Sequence, residues 1–98
     1  MLFAIRFTDK PNMLSVRERF LAAHFEWLDE RQDIVLVAGS LRESADANPI
    51  GALWIVEADD DAQAKAVFQT DPFWLNGLRA GVEILRWSKA FPERRAEV

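Results

Sequence analysis

Strand-like sequence recurs four times along this chain, and helical periodicity fills only the first and third of the three gaps between those runs. Leu2 to Thr8 sets a two-residue period, with Phe3, Ile5 and Phe7 on one side and Leu2, Ala4 and Arg6 on the other. Ile34 to Leu41 is nearly continuous in apolar residues up to Gly39. Gly51 to Ala58 carries Trp54, Ile55 and Val56, and Gly81 to Phe91 reads as the last strand. The order strand, helix, strand, strand, helix, strand predicts an α+β, ferredoxin-like βαββαβ domain over residues 1–98. Its sheet is antiparallel and both helices lie on one face.

The connections follow from turn and cap chemistry. Asp9-Lys10-Pro11-Asn12 is a loop, and Ser15 followed by Glu18 is a capping-box pattern that predicts a first helix from Ser15 to about Arg31 or Gln32. Glu43 to Pro49 is a polar loop. Asp59 or Asp60 caps a second helix through Phe68, and Pro72 ends it, because the residue before a proline is pushed out of the helical region. A turn or one-turn helix spans Phe73 to Leu78, and residues 92–98 read as a charged tail.

Helices can cover only one face of such a sheet, and an uncovered face should be polar. Here Leu53 and Ile55 point opposite to Trp54 and Val56, and Ile84 opposite to Leu85 and Trp87, so both faces carry large apolar side chains. The expected cover is a second copy of the chain, a two-fold homodimer packed through the open sheet face.

Composition narrows the function classes. The formal charge is −4 and no basic stripe dominates, which argues against nucleic acid as a partner. There is no cysteine, which removes disulfides, thiolate catalysis and zinc–thiolate sites together. No apolar run approaches the roughly 20 residues of a membrane span, and the start of the chain lacks signal-peptide features. A cytoplasmic protein with no membrane association is the expectation.

The single histidine, His24, falls on the arc formed by Phe20, Leu21, Trp27 and Leu28. A polar imidazole in a packing stripe needs a hydrogen-bond partner or a cavity to line, and it moves protons readily near neutral pH. Arg17 and Arg31 lie two turns before and after it and are candidates to hold a ligand carboxylate. The alternative is a half-buried histidine bonded to a backbone carbonyl, with two surface arginines. Asp71 could orient the imidazole, or it could simply cap the short helix that Pro72 begins. Ser40 could bond a ligand or serve as a strand-end turn residue; the nucleophile-elbow pattern is missing. The aromatic residues, Trp74 above all, could edge a pocket or build the core. No glycine-rich phosphate loop and no second histidine for a metal pair are present, so neither a nucleotide nor a metal cofactor is expected.

His24-Phe25-Glu26-Trp27-Leu28, then Ala38-Gly39-Ser40-Leu41, then Asp71-Pro72-Phe73 together resemble the YciI-like (YCII-related) family, over the chain up to about Phe91. The resemblance implies a fold of the dimeric α+β barrel superfamily, with His24 and Asp71 matching the family's active-site pair. Ser40 stands where many members carry proline. Related members imply elimination or lyase-type chemistry on small organic acids. The expectation is a cofactor-independent enzyme in which His24 is general acid or base, Asp71 fixes its tautomer, and one of Arg6, Arg17 or Arg31 holds a carboxylate. The competing expectation is a small-ligand-binding module without turnover.

Overall fold

The computed structural model describes residues 1–96 of the chain. Its elements are β1 (Leu2–Asp9), α1 (Leu14–Asp29), β2 (Val35–Leu41), β3 (Gly51–Glu57), α2 (Asp61–Ala66), α3 (Pro72–Leu75) and β4 (Arg79–Arg86). The four strands form one antiparallel sheet in the order β2-β3-β1-β4, the ferredoxin-like topology. Among the described residues, no helix is long and apolar enough to cross a membrane.

Alternation places the core. Phe3, Ile5 and Phe7 on β1 share a face with Trp54 and Val56 on β3 and are buried, as are Trp27 from α1 and Phe68 after α2. The opposite face carries Leu53 and Leu85, with Trp87 following β4, and these are 40%, 59% and 43% exposed. Arg6 lies on that open face, opposite Leu53 and Glu83.

Two register shifts break the alternation. On β2, Val35 pairs with Val56 and Val37 with Ile55, so Leu36 is an extra residue and Ala38 and Ser40 turn toward the helix side. On β4, Gly81 pairs with Thr8 but Arg79 pairs with Asp9, so Ala80 is bulged. Strict alternation would put Arg79 on the open face; the bulge turns it inward.

Several expected boundaries are corrected. The first helix starts at Leu14 with Met13 at its N-cap and no side-chain cap, so Ser15 is already helical and the Ser15/Glu18 box is unused. It stops at Asp29, because residues 30–34 form a turn in which Arg31 N–H donates to the Leu28 carbonyl. Asp60 caps α2 by accepting from Gln63 N–H, but that helix ends at Ala66 and leaves Phe68 in a turn. Pro72 is the first residue of α3, which ends before Gly77 at φ +74°. β4 begins at Arg79 rather than Gly81 and ends at Arg86 rather than Phe91. Past it, Arg94 stacks on Phe91, 3.7 Å from the ring centroid. The last two positions of the expected tail, residues 97 and 98, lie outside the described residues.

Candidate active site

One stripe of α1 faces the side chains that the two bulges turn toward the helix side. Arg17, Leu21, His24, Phe25 and Leu28 recur at helical spacing and line a cavity of about 490 Å³, opposed by Ala38, Ser40, Trp54 and Arg79. The lining is mainly apolar, with a few polar groups among it, as in a small-molecule site.

His24 is buried against the cavity wall. Its ring stacks on Phe73, with centroids 4.0 Å apart and an interplanar angle of 17°. Its Nδ1 lies 2.7 Å from Asp71 Oδ1. Asp71 is the N-cap of α3, and the same Oδ1 accepts the Phe73 backbone N–H at 3.1 Å. Cap and imidazole partner therefore share one oxygen, while the fully buried Oδ2 has no partner among the described residues. An ionised Asp71 selects the tautomer with the proton on Nδ1, so that Nδ1–H donates to Oδ1 and Nε2 keeps a free lone pair. That is the arrangement of a general base held by a carboxylate.

A second ionic cluster shares the cavity wall. Asp9, at the end of β1, accepts from Arg17 Nη2 at its Oδ2 and from Arg79 Nη1 at its Oδ1, both at 2.7 Å. The Arg79 side chain is 2% exposed. Burial pushes its guanidinium below the ordinary arginine value, against the opposing pull of Asp9 and then Asp71. It lies over Phe7 and Phe73, at 4.6 and 5.3 Å from their centroids.

The structure brings together His24, Asp71, Arg17 and Ser40 from the sequence expectations, with Asp71 standing behind the imidazole rather than on the cavity surface. Ser40 lines the cavity but accepts from Arg42 Nη2 at 2.9 Å. The other three expected residues lie elsewhere. Arg6 is on the open sheet face. Arg31 follows the end of α1, folds over Trp27 at 4.4 Å and donates to its carbonyl, so it leaves the line through Arg17 and His24. Trp74 packs edge-on against Phe68 at 4.6 Å, within the core. Sequence reading missed Asp9 and Arg79: Asp9 read as loop, and the orientation of Arg79 depends on a bulge. Among the described residues no three His, Cys, Asp or Glu side chains gather as metal ligands would.

The YCII-related domain model matches residues 1–88. No curated protein matches the chain. Among solved structures, the chain is similar to TftG, the 5-chloro-2-hydroxyhydroquinone dehydrochlorinase of Burkholderia phenoliruptrix AC1100, solved in complex with 2,5-dihydroxybenzoquinone. The two are 29% identical with a TM-score of 0.80, over 90% of this chain and 94% of that one. It is also similar in fold to a putative antibiotic biosynthesis monooxygenase from Bacteroides thetaiotaomicron, at 20% identity and a TM-score of 0.59, over 99% and 95% of the two chains. SnoaB, a cofactor-independent oxygenase from Streptomyces nogalater, is 18% identical with a TM-score of 0.53, over 94% and 96%. The last two likenesses show a common fold.

Proposed function

The chain belongs to the YCII-related domain family, and from that premise we propose that it is a cofactor-independent acid–base enzyme that removes a proton from a small organic acid through the His24–Asp71 pair. The observation that carries this reading is the 2.7 Å contact between His24 Nδ1 and Asp71 Oδ1 beside a cavity of about 490 Å³. The base is Nε2. The substrate's O–H or C–H bond breaks, its proton goes to Nε2, and the electron pair left behind becomes a π bond as a leaving group departs with its own pair. Asp71 stabilises the imidazolium that forms, and stacking on Phe73 holds the ring plane through the cycle. Arg17, on the cavity wall, takes the anionic end of the ligand. The similarity to TftG supports elimination as the reaction type, since a dehydrochlorinase removes the elements of HCl.

We also propose a homodimer formed through the open sheet face. The exposed Leu53, Leu85 and Trp87 support it, because burying them against a second copy removes apolar surface from water.

The enzymatic reading is tested with 5-chloro-2-hydroxyhydroquinone and a panel of small β-substituted carboxylic acids, following leaving-group release, chloride for the first substrate. The wild-type protein turns over at least one of them, and His24→Gln binds the same compound but loses its rate. Binding without turnover by the wild type would make the protein a ligand-binding module instead.

A further inference from the structure

Burying a guanidinium is expensive unless its N–H groups find acceptors. Arg79 is buried with incomplete compensation. Nη1 donates to Asp9 Oδ1, but Nε has no partner among the described residues. Asp9 is also shared, because its other oxygen holds Arg17. The faces of Phe7 and Phe73 attract the cation but accept no N–H bond in the plane of the fork. A bulge at Ala80 is what turns this side chain to the helix face, where it borders the cavity that His24 lines.

Charge balance gives this arrangement a chemical meaning. With His24 neutral, the guanidiniums of half-buried Arg17 and buried Arg79 balance the carboxylates of Asp9 and Asp71. Once His24 has taken a proton, the cluster carries one excess positive charge. Glu18 and Arg42, at the cavity rim, are solvent-exposed and opposite in sign, so they alter that balance little. An anion inside the cavity would neutralise that excess. Donor groups fixed in place before reaction, in a largely dry wall, stabilise such a charge better than solvent does.

Resting on the proton-transfer reading above, we propose that Arg79 is the specificity-determining residue that, with Arg17, receives the oxygen on which negative charge develops. The site then takes small acids whose conjugate base is an oxyanion. Arg17 is the more accessible cation and Arg79 the fixed one, and Asp9 aligns both through a single carboxylate. The oxyanion can come from an acidic ring hydroxyl or from a carboxyl group, and the two sources are separable by experiment.

The test compares three probes by calorimetric or absorbance titration: 2,5-dihydroxybenzoquinone as the hydroxyl acid, benzoate as the carboxylate, and 2,5-dimethoxybenzoquinone as a ring that cannot ionise. The wild type prefers at least one acid over the dimethoxy compound by about tenfold or more, and Arg79→Met abolishes that preference while leaving the dimethoxy affinity nearly unchanged. Which acid is preferred identifies the source of the oxyanion. Should Arg79→Met fail to fold, the wild-type protein still answers: its Arg79 Nε–H resonance, assigned by its loss in Arg79→Lys, moves downfield with the preferred acid and stays in place with the dimethoxy ring. Three results would overturn the proposal: no acid preference in the wild type, a preference that survives Arg79→Met, or an Nε–H resonance unmoved at saturation. Because these readouts are of binding, they are independent of turnover. A His24→Gln variant as active as wild type would refute the proton-transfer reading and leave the anion preference standing.

Discussion

Asp9 and Arg79 meet at 2.7 Å across β1 and β4 because Ala80 is bulged out of the ladder between them. One extra residue reverses the face on which a cation stands and sets it beside the only histidine in the chain. The bulge at Leu36 does the same for Ala38 and Ser40 on the opposite edge of the sheet. The side chains that the two bulges re-aim, Ala38, Ser40 and Arg79, line the cavity.

Replacing Asp71 with asparagine affects both function and stability. The amide oxygen can still cap Phe73 N–H, but it no longer stabilises an imidazolium. Turnover is expected to fall by about 10²- to 10⁴-fold. Thermal stability should fall as well, because the buried cluster loses one of the two carboxylates that offset the Arg17 and Arg79 charges. Steady-state kinetics and calorimetry on the same preparation check both halves.

Asp9→Ala leaves two guanidiniums facing each other without their common counter-charge. Removing one partner from a buried ionic cluster costs about 3–5 kcal/mol, and urea denaturation should register a loss of that order. A change below about 1 kcal/mol, the range of surface ion pairs, would mean that the cluster is solvated.

Gly51 is required by the close approach of β1 and β3. A Cβ there would lie 2.1 Å from the Phe7 carbonyl oxygen, a backbone atom, whereas a Cβ on Gly81 meets nothing within 4 Å. Gly51→Ala should destabilise by about 1–3 kcal/mol or more, and Gly81→Ala should stay within about 0.5 kcal/mol of the parent. Comparable unfolding midpoints for the two variants would contradict the register between these strands.

The sheet-face dimer predicts a sedimenting mass of twice 11.2 kDa. Introducing Leu53→Lys and Leu85→Lys together should give a monomer, since a charge cannot be buried there without a partner. A wild-type monomer at micromolar concentration would refute the dimer.

Element order was legible in the sequence because it rests on hydrophobic period, which the core rewards directly: Phe3, Ile5 and Phe7 are buried as their alternation requires. His24 and Asp71 were legible for different reasons. A lone imidazole on an apolar stripe stands out by its chemistry, and Asp71 was brought in by family resemblance as well as by its cap position. Arg79 was hidden because no residue type announces a bulge at Ala80, and without the bulge its parity points the other way. Arg31 was misplaced because helical phase was carried past Asp29, where the backbone turns. The Ser15/Glu18 pair misled because the cap position falls at Met13, and Ser15 and Glu18 then both lie inside the helix. The sharing of one Asp71 oxygen between a cap and a ring nitrogen depends on how α3 docks against α1, which is a tertiary contact with no local signature.

Since the chain contains a single histidine, its imidazole ¹⁵N and ¹H resonances are unambiguous, and they test the role of His24 most directly. A ring with its proton on Nδ1, a downfield Nδ1–H signal that moves upfield in Asp71→Asn as a neutral acceptor replaces the carboxylate, and protonation of Nε2 on binding a turnover-competent acid are the predicted results. A ring carrying its proton on Nε2, unaffected by Asp71→Asn, would contradict them.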